Sequence, residues 1–245
     1  MTPAILLNRR RLLGLCGVML AAAAVGARVI LGGRPFARTK TPPPEPVDRT
    51  AGWIFFTAAE AAAVEAIVDR LIPTDALGPG GREAGCALFI DRQLAGTYGQ
   101  STVWYLAGPA RAGTLQQGPQ HTDTLAARYR QGLAALDRHC RTTTGKAFAA
   151  QDVAAQDRLL SGLENGTVRL NSASGQELFA QLLKNTREGY FADPLYGGNK
   201  DMAGWRMIGF PGARYDYRDM IARRGEELGL APVGIYGGAA ARKDA

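Results

Sequence analysis

Apolar residues recur at helical spacing in five segments of the chain. The clearest of these segments spans residues 122–141. Its apolar residues are three or four positions apart and therefore line one face of a helix. They are Leu125, Tyr129, Leu133, Leu136 and Cys140. This spacing predicts a long amphipathic helix that packs one side against a core.

Local signals place the ends of the other helices. Thr57 with Glu60, and Ser174 with Glu177, have the spacing of a capping box, so each pair predicts a helix start. Pro73 ends the first of these helices. Two more are predicted at 83–95 and 151–164. Because no segment alternates as a strand does, the sequence predicts an all-α fold, a single irregular helical-bundle domain over residues 53–245 with long ordered loops.

A different kind of segment precedes this domain. Arg9 and Arg10 stand just before an apolar, Ala- and Gly-rich run from Leu12 to Ala27, the order of an export signal. We favour a twin-arginine signal, because the paired arginines are followed by two leucines and the run is only weakly hydrophobic. A general secretory signal and a retained anchor are the alternatives. Residues 1–33 are therefore predicted to be a twin-arginine signal peptide or anchor, which gives a periplasmic, membrane-associated protein.

The basic charge of the chain is concentrated in this front part. The sequence has 29 Lys and Arg, 22 Asp and Glu, and a net charge of +7. Residues 1–51 contain eight of the basic and two of the acidic residues, so the remainder is almost neutral. Residues 34–52 contain five of the 13 prolines and are predicted to be an extended linker. The charge therefore does not predict a nucleic-acid partner.

Cofactor motifs are absent from the sequence. It has no Cys-X-X-Cys-His for haem and no strand–Gly-X-Gly-X-X-Gly–helix for a dinucleotide. His121 and His139 have no partners at metal-ligand spacing. We expect the chain to bind no cofactor or metal and to have no catalytic residue of its own. Cys86 and Cys140 either form a disulfide in an oxidising compartment or are two small buried hydrophobic residues.

The most informative segment is 189–213, which has six glycines and five aromatic residues among 25 positions. Asp193, Asn199 and Asp201 do not have the spacing of a calcium loop, so they are expected to cap turns. The segment is either an irregular loop packed on its own core or an aromatic surface for a partner. The residues that we assign to this interface or structural loop are Tyr190, Phe191, Asp193, Pro194, Tyr196, Gly197, Gly198, Asn199, Asp201, Met202, Trp205, Gly209, Phe210, Pro211 and Gly212.

Several motifs over residues 53–215 resemble, in the same order, the small subunit 3 of the membrane-bound gluconate 2-dehydrogenase family. The most specific block runs from Thr186 through Asn199 and Trp205 to Ala213. The weaker ones are Phe56–Glu60, Ile72–Asp75, Gly78–Gly85, Phe89–Leu94, Tyr105–Pro109 and Tyr129–Leu133.

The resemblance implies a heterotrimer with an FAD-dependent GMC-type dehydrogenase subunit and a c-type cytochrome subunit. FAD and haem c would be bound by those partners. The small subunit would aid folding, assembly and export of the flavoprotein through the twin-arginine translocon. The substrate would be gluconate or another sugar or polyol. The alternative function is a stand-alone exported helical module that binds a ligand or a protein.

Overall fold

The first helix of the domain begins where the capping box predicts. The Thr57 hydroxyl accepts a hydrogen bond from the Glu60 N–H, and the Glu60 carboxylate accepts one from the Thr57 N–H at 2.8 Å. Two of the backbone N–H groups that have no partner inside the helix are thereby satisfied. The helix ends at Leu71, two residues before Pro73.

The structure is a computed structural model, and it describes residues 45–102, 111, 113–117, 120–214 and 216–236. The predicted signal with Arg9 and Arg10, most of the Pro-rich linker and the Tyr105–Pro109 motif lie outside these residues. None of the helices in the described ranges is long and apolar enough to span a bilayer.

Six α-helices form the described part of the chain, which contains no strand. They are α1 (Ala58–Leu71), α2 (Cys86–Ala95), α3 (Leu125–Thr144), α4 (Val153–Glu164), α5 (Gly175–Phe191) and α6 (Ala203–Met207). Short 3-10 turns occur at Leu115–Gln117, Phe148–Ala150, Pro194–Tyr196, Lys200–Met202 and Arg218–Met220. The all-α prediction is confirmed.

Helix boundaries differ from the predictions by a few residues, each for a local reason. The predicted helix at 83–95 begins only at Cys86, because Gly85 adopts a left-handed conformation with φ of +79°. The predicted helix at 122–141 is displaced by three residues, since Thr124 caps its start and left-handed Gly145 ends it. α5 continues through Gly189 to Phe191, although the sequence suggested irregular structure from Gly189 onward.

α5 is the central helix of the bundle and packs against α1, α2, α3 and α4. Its buried face carries Leu178, Phe179 and Leu182. Burying each such side chain contributes about 1.5–3 kcal/mol. Because its C-terminal end continues directly into residues 192–212, α5 fixes that segment relative to the core.

The two cysteines of the domain are free thiols, both fully buried. Cys86 and Cys140 therefore do not form the disulfide that was one of the two alternatives. Cys86 at the start of α2 lies near Tyr190, whereas Cys140 near the end of α3 lies near Gln151. Each thiol fills its own part of the core as a small hydrophobic side chain. Burial raises the pKa of Cys86 to about 12.

Candidate functional site

The segment from Tyr190 to Gly212 folds back over the end of α5. The Tyr190 hydroxyl donates a hydrogen bond to the Pro79 carbonyl at 2.8 Å, and its ring is buried. The buried Trp205 on α6 donates from Nε1 to the Phe191 carbonyl at 2.8 Å. Two of the five predicted aromatic residues are thus structural, since they attach the segment to the core.

Asn199 holds the centre of the segment together. Its side chain is fully buried; Nδ2 donates to the Ala192 carbonyl and Oδ1 accepts from the Gly204 N–H, both at 2.8 Å. Its backbone is left-handed, with φ of +42°, which Asn tolerates better than most residues. Asn199 therefore joins the end of α5 to the start of α6.

Two glycines are required by close approaches of the backbone. A Cβ atom on Gly198 would lie 2.1 Å from the Gly189 carbonyl oxygen, and one on Gly204 would lie 2.2 Å from that of Tyr190. No other side chain fits at these positions without moving the backbone. The glycine content of the segment thus reflects tight packing on α5.

Asp193 connects the segment to a part of the chain to which the sequence assigned nothing. Oδ1 accepts from the Leu195 N–H at 2.9 Å, forming a turn, and Oδ2 accepts from the Ile235 N–H at 2.8 Å. Nearby, the Ala213 N–H donates to the Val233 carbonyl at 2.7 Å, and Gly212 pairs with Val233. The chain around Val233 and Ile235 thus returns to the segment and packs beside it.

The end of the predicted linker also contacts the segment. The Val47 N–H donates to the Leu195 carbonyl at 3.0 Å, and the Arg49 guanidinium donates to the Gly198 carbonyl at 2.8 Å. A single arginine and a single valine in a proline-rich stretch gave no periodic signal, so the sequence did not indicate these contacts. The last residues of the predicted spacer are therefore attached to the domain.

A second group of apolar residues in and just after the segment points outward. Phe191 is 37% exposed and Phe210 is 42% exposed, and Tyr196 is similarly accessible. Met207 and Ile208, which the sequence did not single out, are exposed as well. The remaining assigned residues divide the same way: Gly197, Gly198, Met202 and Gly212 are buried, Pro194 and Pro211 are half-buried, and Asp201 and Gly209 are exposed. The structure thus separates residues that stabilise the segment from residues that could contact a partner.

Two titratable groups where this segment meets the core, Tyr190 and Cys86, have raised pKa values. Burial raises the pKa of Tyr190. It also raises the pKa of Cys86, close to Tyr190, to about 12. Both groups therefore stay protonated at neutral pH. What the segment offers chemically is shape, aromatic surface and exposed cations.

A separate cavity with both polar and apolar lining lies between the start of α3 and the first turns of α5. It has a volume of about 170 Å³, and its lining includes His121, Asp123, Arg128 and Glu177. His121 Nε2 lies 3.9 Å from the Glu177 carboxylate. His139 lies far along α3, near its end. Among the described residues, no three His, Cys, Asp or Glu side chains are grouped as metal ligands would be.

Comparison with known proteins gives one family. The family model described as gluconate 2-dehydrogenase subunit 3 matches residues 58–212, from the start of α1 to the end of the glycine- and aromatic-rich segment. No curated protein and no solved structure matches the chain. The matched range covers most of the sequence and includes the six α-helices described above. The chain therefore belongs to the gluconate 2-dehydrogenase subunit 3 family.

Proposed function

We propose that this protein is the non-catalytic small subunit of a periplasmic, membrane-bound, FAD-dependent dehydrogenase of gluconate or of another sugar or polyol. Membership in the subunit 3 family implies an accessory subunit of a dehydrogenase complex. The observation that carries the proposal is that this match extends through residues 189–212. There, buried Tyr190, Asn199 and Trp205 hold exposed aromatic residues in place. A preformed aromatic surface suits stable association with another subunit.

In this proposal the redox chemistry takes place on other chains. An FAD-dependent GMC-type subunit oxidises the substrate, and a c-type cytochrome subunit receives the electrons. This chain supplies a folded helical body that aids folding and assembly of the flavoprotein. The resemblance described above is the basis for assigning these two partners.

The same proposal gives the chain a role in export. Arg9 and Arg10 direct the assembled complex to the twin-arginine translocon, which accepts folded proteins, so a flavoprotein without its own signal crosses the membrane with this chain. The support is the order of paired arginines, weakly apolar run and proline-rich linker in the sequence.

Co-expression of the full chain with the flavoprotein subunit tests the assembly role. We expect a tag on this chain to recover a flavin-containing complex from the periplasmic side of the membrane. Deletion of this chain should leave the flavoprotein in the cytoplasm. Recovery of this chain alone, together with normal periplasmic dehydrogenase activity in the deletion strain, would exclude the proposal.

The export role has its own test. Replacing Arg9 and Arg10 by Lys keeps the charge but removes the guanidinium pair, and should retain both this chain and the flavoprotein in the cytoplasm. Arg28→Lys is the matched control, because it makes the same change outside the pair and should leave export unaltered. Normal export of the double variant would contradict the export role while leaving the assembly role open to the first test.

A stand-alone exported binding module is the second candidate. The cavity whose lining includes His121, Asp123, Arg128 and Glu177 favours it, because charged groups around a partly enclosed volume suit a small polar ligand. Saturable binding of gluconate or a polyol to the isolated full chain, measured by calorimetry and lost in Glu177→Gln, would support this candidate. Absence of binding together with recovery of the flavin complex would reject it.

A further inference from the structure

The cavity between α3 and α5, which we call the α3–α5 cavity, is lined by matching faces of the two helices. On each helix the lining residues are three or four positions apart and therefore share one face. They are Leu125, Arg128, Tyr129 and Gly132 on α3, and Ser174, Glu177, Leu178 and Gln181 on α5 with its N-cap. A Cβ atom on Gly132 would lie 2.7 Å from the Leu178 side chain, so the helices meet at this end. The volume of about 170 Å³ is thus bounded on two sides by the helix packing itself.

The Glu177 carboxylate departs from the capping box that its position predicts. The Ser174 hydroxyl accepts from the Glu177 N–H at 3.2 Å, which is one half of the box. In the complete box of α1, the Glu60 carboxylate returns to the Thr57 N–H. The Glu177 carboxylate instead lines the α3–α5 cavity, 3.9 Å from His121 Nε2. Departures from a local rule are expected at functional sites.

His121 brings an unsatisfied nitrogen to the same place. Its Nε2 atom is buried and has no hydrogen-bond partner in the part of the chain that the structure describes. The 3.9 Å distance to the Glu177 carboxylate is too long for a direct hydrogen bond. An oxygen atom about 2.8 Å from both groups would bond to each of them. The pair therefore leaves a gap that suits one hydroxyl group.

The chemistry of this gap selects a hydroxyl over a charged ligand group. The Glu177 carboxylate only accepts hydrogen bonds, so the bridging group must donate to it. The His121 nitrogen accepts in one tautomer and donates in the other, and a hydroxyl satisfies both. A ligand carboxylate would be repelled by Glu177. A ligand ammonium could not accept from a protonated Nε2.

The rest of the lining also favours a neutral, hydroxylated molecule. Arg128 contributes one guanidinium, whereas Asp123 adds a second carboxylate to that of Glu177, so carboxylates outnumber the guanidinium by two to one. The amides of Gln131 and Gln181 both donate and accept. The leucine side chains of the lining offer an apolar surface to C–H groups. A sugar-like molecule presents this same combination of hydroxyl and C–H groups.

We propose that the α3–α5 cavity binds a small neutral polyol or monosaccharide, one hydroxyl of which bridges the Glu177 carboxylate and His121 Nε2. The volume of about 170 Å³ corresponds to roughly six water molecules at about 30 Å³ each, so such a ligand would replace several waters. This inference rests on the second candidate function only for the location of the site, and narrows its ligand from any small polar molecule to an uncharged one. It holds whether the chain acts alone or within a complex.

The test is a calorimetric titration of the purified full-length chain with sorbitol and with gluconate. The two probes share a six-carbon chain and differ at one end, which is a hydroxymethyl group in sorbitol and a carboxylate in gluconate. We expect saturable binding of sorbitol at millimolar concentration. Gluconate should bind about tenfold more weakly, because its carboxylate meets those of Glu177 and Asp123.

Variants locate the ligand within the cavity. His121→Leu and Glu177→Gln each alter one side of the gap and should weaken sorbitol binding about tenfold. His139→Leu is the matched control, because His139 is the other histidine of the chain and lies near the end of α3, away from the cavity. With two histidines in the chain, selective labelling gives two imidazole signals, and sorbitol should shift only that of His121. Circular dichroism and thermal unfolding like those of the wild type must accompany each variant.

Three results would overturn the proposal. They are the absence of saturable sorbitol binding, which would mean that water fills the gap, gluconate binding as tight as that of sorbitol, and unchanged sorbitol binding in both His121→Leu and Glu177→Gln. Binding of gluconate alone would overturn this inference and still support the second candidate function. Recovery of the flavin-containing complex is measured separately, so the assembly role stands or fails independently of the ligand.

Discussion

The Asp91 carboxylate accepts a hydrogen bond from the backbone N–H of Phe56 at 2.8 Å, and both residues are buried. The same carboxylate accepts from the Ile54 and Phe55 N–H groups and pairs with Arg92. One side chain on α2 thus satisfies three successive donors just before α1. The residues that lead into the bundle are fixed by this contact.

We predict that Asp91→Ala lowers the free energy of unfolding by about 3 kcal/mol, because it leaves buried donors and the Arg92 cation without an acceptor. Asp91→Asn keeps the shape and one acceptor oxygen and should cost less. Chemical denaturation measures both changes. Equal stability of Asp91→Ala and the wild type would show that water replaces the carboxylate.

Replacement of Asn199 should loosen the glycine- and aromatic-rich segment. Asn199→Ala removes the hydrogen bonds to Ala192 and Gly204 and places Ala in a left-handed conformation, so we expect a loss of about 2–4 kcal/mol. Asn199→Asp keeps the acceptor for the Gly204 N–H but sets a carboxylate against the Ala192 carbonyl. Hydrogen exchange of residues 192–212 should therefore increase in both variants, and unchanged protection would contradict the central role of Asn199.

Two glycines of the segment should respond differently to a methyl group. Gly204→Ala forces Cβ to 2.2 Å from the Tyr190 carbonyl oxygen and is expected to cost about 3 kcal/mol or more, because the backbone must move. Gly209 has φ of +67° but open space around it, so Gly209→Ala should cost only about 1 kcal/mol. The melting temperatures of the two variants measure how much each substitution destabilises the protein, through a steric clash at Gly204 and through backbone conformation at Gly209. Similar values would show that the backbone at Gly204 adjusts freely.

Because Cys86 and Cys140 are buried free thiols, they should be protected from chemical modification in the folded protein. In a Cys16→Ser background, a thiol reagent should react slowly with the native protein and rapidly with two thiols after denaturation. A disulfide would leave none to react. Oxidising conditions should not change this count, since Cys86 and Cys140 have different neighbours.

The raised pKa of Cys86 fixes the direction of a stability change at high pH. Below its ordinary value of 9.0 the thiol is protonated in both the native and the unfolded chain. Between about 9 and about 12 only the unfolded chain releases this proton, so the contribution of Cys86 to stability is lost as pH rises through this window. Thermal unfolding should show a shallower fall in Cys86→Ala than in the wild type, and identical slopes would contradict the prediction.

Much of the fold follows from local signals in the sequence. Thr57, Thr124 and Ser174 each cap a helix through the N–H three residues later, and the apolar spacing in α3 identified its buried face. The boundaries at Gly85, where α2 begins, and at Gly145, where α3 ends, were harder to place, because a left-handed glycine is only one of several residues that can flank a helix. The continuation of α5 through Gly189 was missed, since that glycine is determined by contact with Phe89 on another helix.

The glycine and aromatic content of residues 189–213 identified the candidate site, but it did not show which of these residues are buried and which are exposed. The sequence marked Tyr190, Phe191, Trp205 and Phe210 together, and only the structure showed that Tyr190 and Trp205 point inward while Phe191 and Phe210 point outward. The sequence did not indicate that Ile208 is exposed. Nor did it indicate the hydrogen bond between Asp193 and Ile235, which are 42 residues apart. Such a pairing depends on the path of the whole chain and leaves no periodic pattern.

By itself, the sequence determined the all-α class, the capped starts of α1 and α5, and the family, because caps, apolar periodicity and motif order are local properties of the chain. Tertiary structure decided which aromatic residues are buried, how Asp91 and Asn199 are used, and that Met207 and Ile208 are exposed. The physical reason is that burial and hydrogen-bond partners depend on segments distant in sequence. Arg49 and Gly198, which contact each other from positions 149 residues apart, illustrate that dependence.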